Sequence, residues 1–366
     1  MTLSRRGANG FSASSVTNAL GFQRWSLSLF LNWIVTIAIL LLLYLIARGA
    51  VSFLIFDAAS PSANVAACRG ANGACWPFIA AKLRQFLFGR YPETETWRAI
   101  AAMVIPPAIL GISLVLRRRL GLLSVIALVL MSLPMAFILL AGDGFVLPPV
   151  PTEVWGGLTL TLMVSYTGVA ASMPLGLILA LGRRSSWPVP RWLAICAIEF
   201  WRGVPLVTVL FMASVMLPLF LPEGMSVNKL ARALVAISLF ASAYMAEVIR
   251  GGLQSVAVNQ FESAEALGFN YPQALALIIL PQALRNALPG IIGTFIGLLK
   301  DTTLVLVIGL FDFLGMIQLG AADPAWSAPS TAITGYAFAA LVFWCLCFGI
   351  SRIGTTLERH SGGHHR

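Results

Sequence analysis

Few ionisable residues lie inside the apolar segments of this sequence, and those few are the side chains best suited to bind a polar solute. Lys300 and Asp301 lie in the middle of one apolar segment. The next two residues, Thr302 and Thr303, add hydroxyl groups, and Glu247 lies in the apolar segment before. A charge at the centre of a membrane helix costs roughly 2.5–3.5 kcal/mol. These charges therefore either line a hydrated path, with carboxylates for an ammonium and lysine for a carboxylate, or pair with one another to fix helix packing.

The composition predicts an all-α integral membrane protein around these charges. Of the 366 residues, 58% are hydrophobic and 10% are charged, against roughly 25% charged residues in soluble domains. A membrane span needs about 20 apolar residues. By that criterion about eight transmembrane helices are expected, over residues 28–47, 99–116, 120–141, 158–181, 193–221, 230–250, 287–310 and 333–352.

Between the predicted spans 230–250 and 287–310, the pattern of residues 261–285 predicts two short helices joined by a turn. We expect Asn259 to cap the first helix and Gly268 to end it in a left-handed conformation. We expect Asn270 to cap the second helix and Pro281 to stop it. Such an elbow on one membrane face would present a fixed surface to a partner in water.

The residues of this elbow carry a recognisable series: Glu262-Ser263-Ala264-Glu265-Ala266-Leu267-Gly268, followed by Leu280-Pro281. The series resembles the coupling loop of ABC-importer permeases, with its EAA…G…LP signature, although Ser263 stands where that family usually has alanine. The resemblance implies that residues 251–285 dock into a groove of a cytoplasmic ATPase. The alternative is an ordinary connecting loop.

Two further stretches resemble the same family. Glu199, Arg202, Gly203 and Pro205 match an E-x-x-R-G-x-P motif, and Arg202 is interpreted as an anchor near the cytoplasmic surface. The run from Lys300 to Leu304 resembles a K-D-T-S-L motif, with Thr303 in place of serine. Together these motifs resemble those of the polar amino-acid uptake branch of the family. The layout of eight spans with a long first periplasmic loop is similar to that of the larger permease subunit of general L-amino-acid importers.

This resemblance covers about residues 150–355 and implies a division of the chain. A type I ABC importer permease core of five helices follows three extra helices and a long periplasmic loop. Residues 77–88 of that loop have helical apolar spacing and are expected to lie along the membrane interface. The predicted parts are a cytoplasmic tail 1–27, an N-terminal extension 28–151 with periplasmic loop 48–97, a permease domain 152–355 and a tail 356–366.

The distribution of charge predicts the orientation. The net charge is +10, but the basic residues, such as Arg117–Arg119, Arg183 and Arg184, cluster in loops on one side of the predicted spans. Opposite loops carry acidic residues, such as Asp143 and Glu223. Positive charge favours the cytoplasmic side, so the amino terminus and the elbow are predicted to be cytoplasmic. No soluble basic face remains for nucleic acid.

Cysteine, histidine and lysine usage limits the chemistry further. Cys68 and Cys75 share the outer loop and form either a disulfide in an oxidising periplasm or two free thiols. All three histidines fall in the last seven residues, so no metal site is predicted in the membrane body. None of the three lysines follows a G-x-x-x-x-G-K-[ST] phosphate loop. ATP hydrolysis is therefore expected on a separate subunit, with no cofactor in this chain.

The resemblance implies a permease subunit, not an enzyme, of an ATP-driven importer for polar or general L-amino acids in a bacterial inner membrane. Its implied partners are a cytoplasmic ABC ATPase dimer, a second homologous permease subunit, a periplasmic amino-acid-binding protein and membrane lipid. A secondary amino-acid transporter or channel without an ATPase is the alternative. The lack of a nucleophile and base pattern argues against a membrane-embedded enzyme.

Overall fold

The computed structural model describes residues 13–62, 65–70, 72–116, 122–222 and 227–361. The predicted features that fall on Arg117–Arg119, on Glu223 and on the two chain ends, residues 1–12 and 362–366, lie outside these ranges. Over the described ranges the chain is helical and contains no β-strand apart from two isolated bridges.

Fourteen α-helices, joined by shorter turns, are numbered in chain order within the described residues. The first eight are α1 (Ala13–Val51), α2 (Val65–Gly70), α3 (Trp76–Phe88), α4 (Thr96–Val115), α5 (Leu122–Ala141), α6 (Gly157–Arg183), α7 (Pro188–Gly203) and α8 (Leu206–Phe211). The others are α9 (Lys229–Gln254), α10 (Asn259–Ala266), α11 (Tyr271–Ala274), α12 (Leu280–Asp301), α13 (Phe313–Ala321) and α14 (Pro329–Ser361).

The helical membrane fold is confirmed, with one span that differs from expectation. The described residues include 6 helices long and apolar enough to cross a membrane, or 7 when a bent pair counts as one span. Helix α5, with 20 residues, coincides with the predicted span 120–141. The predicted span 193–221 is the bent pair: α7 and the helix from Leu206 to Phe220 meet at 102°. Pro205 explains the break, because it has no N–H to continue α7.

The prediction that Pro281 stops a helix is wrong. The helical path runs from Tyr271 to Ile308 over 38 residues. Residues Leu275–Ile279 form a π turn, in which the Leu280 N–H donates to the Leu275 carbonyl. Pro281 then lies in the first turn of α12, where a missing N–H is tolerated. The elbow is therefore continuous with the span that carries Lys300.

The chain ends also contain more helix than expected. Helix α1 starts at Ala13, so the described part of the predicted tail 1–27 is helical. Helix α14 continues to Ser361, beyond the predicted domain end at residue 355. Between residues 31 and 51, the side chains of α1 are exposed in this single chain.

A buried arginine fixes the hairpin of α4 and α5 within the N-terminal extension. Arg98 on α4 is fully buried, and its guanidinium donates to the carbonyls of Leu139 (2.6 Å), Leu140 (3.2 Å) and Pro148 (2.9 Å). These carbonyls include the last turn of α5, where a cation is favoured. The Tyr91 hydroxyl also donates to the Leu140 carbonyl at 2.8 Å. The α4–α5 hairpin packs in turn against α6.

Helix α3 confirms the helix expected over residues 77–88 but not its expected place at the membrane interface. Phe78 and Phe86 are fully buried, and α3 packs against α6, α13 and α14. Its last turn meets the start of α6 at Gly157, whose φ is +64° and where a Cβ would collide with the Phe86 carbonyl. The segment had aromatic residues on a continuous helical face, and the core supplies a drier environment for them than the interface does.

A disulfide joins Cys68 and Cys75, whose Cα atoms are 5.1 Å apart. The Cys75 N–H donates to the Thr334 hydroxyl of α14 at 2.9 Å. Both cysteines are buried against the cluster that contains Phe78 and Phe313. The disulfide loop thus closes the same end of the bundle as α3.

Candidate coupling elbow and translocation site

The elbow consists of α10, a tight turn at Gly268, and α11. Gly268 has φ +83°, the left-handed conformation expected from its type. Its N–H donates to the Glu265 carbonyl at 2.9 Å, and the Phe269 N–H donates to the Ala264 carbonyl at 3.1 Å. No neighbouring atom lies within 4 Å of a Cβ placed at Gly268. Glycine is needed there for the backbone conformation and not for space.

One of the two predicted helix caps is present. The Asn270 side chain accepts from the Gln273 N–H at 3.0 Å, and the Gln273 side chain accepts from the Asn270 N–H at 3.1 Å. This capping box fixes the start of α11. The predicted cap at Asn259 is wrong, because Val258 holds the N-cap position and makes no side-chain cap bond. A backbone turn from Ala257 to Gln260 at 3.0 Å leads into α10 instead.

The elbow presents a mixed polar and apolar surface. Leu267 is 76% exposed, and Val258, Tyr271 and Leu277 are also more than half exposed. Ala264 faces inward and is buried. The other residues predicted for coupling fall into two groups. On α10 and its turn, the exposed ones are Glu262, Ser263, Ala266, Leu267 and Gly268. At the start of α12, the half-buried ones are Leu280 and Pro281.

Side chains from the bundle hold the elbow in place. The rings of Phe261 and Tyr271 stack with centroids 6.3 Å apart, so α10 and α11 contact each other across the turn. The Arg184 guanidinium lies 5.8 Å from the centre of the Phe261 ring. The Asn286 amide donates to the Ser255 hydroxyl at 2.8 Å. Sequence reasoning assigned Arg184 only to the charge distribution and missed this contact, since no local pattern links it to Phe261.

A cluster of five charges lies on the three helices α6, α7 and α9. Glu247 accepts from Arg183 at 2.9 Å and from Arg250 at 2.7 Å, and it lies 3.8 Å from Arg202. Arg183 also pairs with Glu199 at 3.0 Å. The cluster unites Glu199 and Arg202, which were interpreted as a structural motif, with Glu247, for which the sequence left pathway lining and ion pairing open. Gly203 and Pro205 follow directly, at the break between α7 and α8.

The other predicted pathway residues, Lys300 to Thr303, lie on the helical path from Tyr271 to Ile308, at the end away from the elbow. Lys300 and Thr303 line a groove of about 310 Å³ with Tyr336 and Phe343 of α14. Asp301 is half-buried. The ion pairs among the described residues include neither Lys300 nor Asp301. Pairing among the membrane charges therefore occurs at Glu247, which lies against Arg202.

The two threonines of this run use their hydroxyls locally. Thr302 is fully buried and donates to the Leu299 carbonyl at 2.7 Å. Thr303 donates to the Lys300 carbonyl at 2.9 Å. Glu247 is separated from this run: its neighbour Val248 packs against Gly290, which is about 15 Å from Lys300 along α12 at 1.5 Å per residue.

The sequence of this chain is similar to those of known membrane proteins. Residues 172–361 match a family model described as binding-protein-dependent transport system inner membrane component. The chain is 44% identical to the inner membrane amino-acid ABC transporter permease protein YhdY of Escherichia coli strain K12, over 92% of this chain and 90% of that protein. It is 38% identical to the glutamate/glutamine/aspartate/asparagine transport system permease protein BztC of Rhodobacter capsulatus, over 81% of each chain.

A solved structure agrees with these sequence matches. The crystal structure of an amino acid ABC transporter with histidines aligns at a TM-score of 0.50 and 30% identity. The alignment covers 56% of this chain and 92% of that one. The solved relative therefore aligns with only part of this chain, whereas the two sequence relatives align with most of it.

Proposed function

Since the chain belongs to the family of binding-protein-dependent transport system inner membrane components, we propose that its elbow is the site where a cytoplasmic ATPase drives import of polar or general L-amino acids. The chain is a transporter component and not an enzyme. Its relatives are named as amino-acid permeases, and the elbow geometry carries the proposal for this chain. We assign the elbow to residues 251–285 of a permease domain 152–355, after the extension 28–151.

The exposed apolar residues of the elbow support ATPase docking. Leu267, Val258, Tyr271 and Leu277 are exposed on a surface whose backbone is fixed by Gly268 and the Asn270 capping box. Apolar side chains on a rigid scaffold bind a groove with little loss of conformational entropy. Nucleotide-driven closure of an ATPase dimer would move this surface, and the continuous helix from Tyr271 to Ile308 would transmit the movement toward Lys300.

The same proposal orients the chain. A cytoplasmic elbow places the amino terminus in the cytoplasm and the disulfide loop in the periplasm, where disulfides persist. The basic residues that flank the elbow, Arg184 and Arg250, agree with the positive-inside rule. The periplasmic end would then receive an amino-acid-binding protein, and membrane lipid would cover the apolar exterior.

We further propose that the chain pairs with a second homologous permease subunit and that substrate passes Lys300, Asp301 and Thr303. Charged side chains without a partner at membrane depth generally mark a substrate path. Glu247 remains a candidate for the inner end of this path, where the arginines around it would control access. Thr302 contributes by fixing the turn through its buried hydroxyl.

The experiment replaces Gly268 with valine in the complete transporter and measures co-purification of the ATPase. A β-branched residue in a left-handed conformation costs about 1–2 kcal/mol, which corresponds to a loss of roughly five- to thirtyfold in ATPase affinity, with a matching fall in uptake. Gly111→Val is the matched control, because Gly111 is exposed on α4 in open space and has ordinary helical geometry.

Retained ATPase binding and normal uptake in Gly268→Val would contradict the docking proposal. Uptake by the wild type that survives ATP depletion but stops when the proton gradient collapses would contradict ATP coupling altogether. Both variants must reach the membrane in equal amounts, as measured by quantitative blotting.

A further inference from the structure

The end of the bundle opposite the elbow contains a cation with an unsatisfied donor. Arg232 lies in the first turn of α9, and its Nη1 donates to the Ser214 carbonyl at 2.5 Å. The Nε of the same guanidinium is buried without a hydrogen-bond partner, and so is the Ser214 hydroxyl. Two unpartnered polar groups therefore come from residues that already contact each other.

This arrangement is costly unless a ligand completes it. A buried polar group without a partner costs roughly 1–3 kcal/mol. Arginine stays charged in proteins, and none of the ion pairs among the described residues contains Arg232. An arginine that only snorkels to water would keep its whole head group hydrated, whereas the Nε of Arg232 is buried.

Ser214 lies on an irregular part of a broken span. It belongs to a π turn, Met212–Met216, that follows α8, and π turns occur frequently at functional sites. The break between α7 and α8 leaves backbone polar groups without helical partners, which a membrane tolerates only against protein or a water-filled cavity. Ser214 itself is about nine-tenths buried, with 9% exposure.

The position of Arg232 suits a site on the outer half of the path. Arg232 and Glu247 lie on the same helix, about 22 Å apart along its axis at 1.5 Å per residue. Helix α8 contacts the 3₁₀ turn Thr302–Ile308 that directly follows Asp301. Arg232 and Asp301 therefore belong to neighbouring elements away from the elbow.

We propose that Arg232 and Ser214 form a subsite for the α-carboxylate of the amino-acid substrate; this inference rests on the proposed function. The guanidinium Nε and the serine hydroxyl supply two donors, and a carboxylate neutralises the charge of Arg232. Arg232 takes the role that the sequence suggested for Lys300, whose side chain lines the groove against α14 instead.

The test measures equilibrium binding to the assembled permease and ATPase complex in nanodiscs, without the binding protein. The probe is a radiolabelled mixture of L-amino acids, with a mixture of L-amino-acid amides as competitor. Wild type binds the acids and ignores the amides. Arg232→Gln is expected to lose at least tenfold in affinity and all preference for acids over amides, Ser214→Ala a few-fold, and Arg232→Lys an intermediate amount.

Lys229→Gln is the matched control, because Lys229 is an exposed cation one turn away and its loss should leave binding unchanged. Glu223→Gln tests whether Glu223, outside the described residues, neutralises Arg232 instead. The inference is overturned if Arg232→Gln keeps its preference for acids, if Glu223→Gln reproduces its loss, or if the wild-type complex binds no amino acid. If Arg232→Gln fails to assemble, unchanged binding in both Ser214→Ala and Arg232→Lys overturns it equally.

A separate measurement distinguishes failure of this subsite from failure of the proposed function. Uptake of the same labelled mixture is measured with the complete wild-type system. If the complete system takes up the mixture but the binding assay shows no dependence on Arg232, only the subsite proposal is contradicted. Absence of ATP-dependent uptake, or of ATPase co-purification with the wild type, removes the proposed function and the subsite together.

Discussion

The two ends of this helical bundle are held together in different ways. The end that contains α3, the disulfide and Arg98 is fixed by buried aromatic rings, a covalent bond and a guanidinium that satisfies three carbonyls. The elbow end also contains a buried aliphatic cluster, but its surface is fixed by the Gly268 turn, the Asn270 capping box, the stack of Phe261 on Tyr271 and a cluster of charges with mostly partial exposure. The first end contributes mainly to stability, whereas the second presents a fixed surface.

This difference indicates where mutations should act on stability and where they should act on coupling. Buried contacts contribute to the free energy of unfolding of the whole chain. Partly exposed ion pairs contribute little to it, and the cap of a short exposed helix such as α11 governs local fraying more than global unfolding. Both nevertheless fix the surface that a partner must recognise. A variant at one end should therefore leave the property of the other end unchanged.

The largest effect is expected from Arg98→Met. The change leaves the carbonyls of Leu139 and Pro148 without this donor and the Leu140 carbonyl with the Tyr91 hydroxyl alone. The cost is roughly 2 kcal/mol or more, since each orphaned buried acceptor costs roughly 1–3 kcal/mol. The Tm of the purified permease, followed by tryptophan fluorescence, should fall by several degrees, while the folded fraction still binds the ATPase. Arg90→Met is the control, because Arg90 is exposed and donates one 3.2 Å bond to the Glu153 carbonyl. A fall in ATPase affinity without a fall in Tm would break the comparison.

A pair of asparagine caps sharpens the comparison with matched chemistry. Asn270 caps α11 in the elbow, and Asn228 caps α9 at the opposite end by accepting from the Leu230 N–H at 2.8 Å. Loss of either cap costs about 1 kcal/mol of helix stability. Asn270→Ala should lower ATPase affinity a few-fold at unchanged Tm, whereas Asn228→Ala should lower Tm at unchanged affinity. Equal effects of the two variants on both measurements would contradict the division into two ends.

The sequence predicted the features of this fold that depend on local chemistry. Gly268 was identified because a left-handed turn after a helix selects glycine, and Asn270 because its capping partner lies three residues away. The membrane spans were predictable from apolar length alone. Each of these patterns is complete within about 20 residues, so no long-range contact was needed.

What could not be predicted depends on contacts between distant segments. A proline normally ends a helix, but a preceding π turn lets the chain continue through Pro281. The burial of α3 depends on α13 and α14, which follow more than 200 residues later. The sequence assigned Arg183 only to the charge distribution and did not single out Arg232, because their partners Glu247 and Ser214 come from other helices.

The smallest effect is expected from an ion pair at the end of the bundle opposite the elbow. Lys82 on α3 donates to Asp323 at 2.8 Å, and both side chains are partly exposed. The bond from Lys82, together with the N–H of Ala325, lowers the pKa of Asp323 below its ordinary value of 3.8. Because the pKa is lower in the folded state, the pair stabilises the fold above pH 3.8 and loses this contribution as the pH falls through the folded-state pKa. Asp323→Asn should therefore lower Tm slightly at neutral pH, and the difference from wild type should vanish in acid. A difference that persists in acid would show that Asp323 acts through its helix-turn cap and not through its charge.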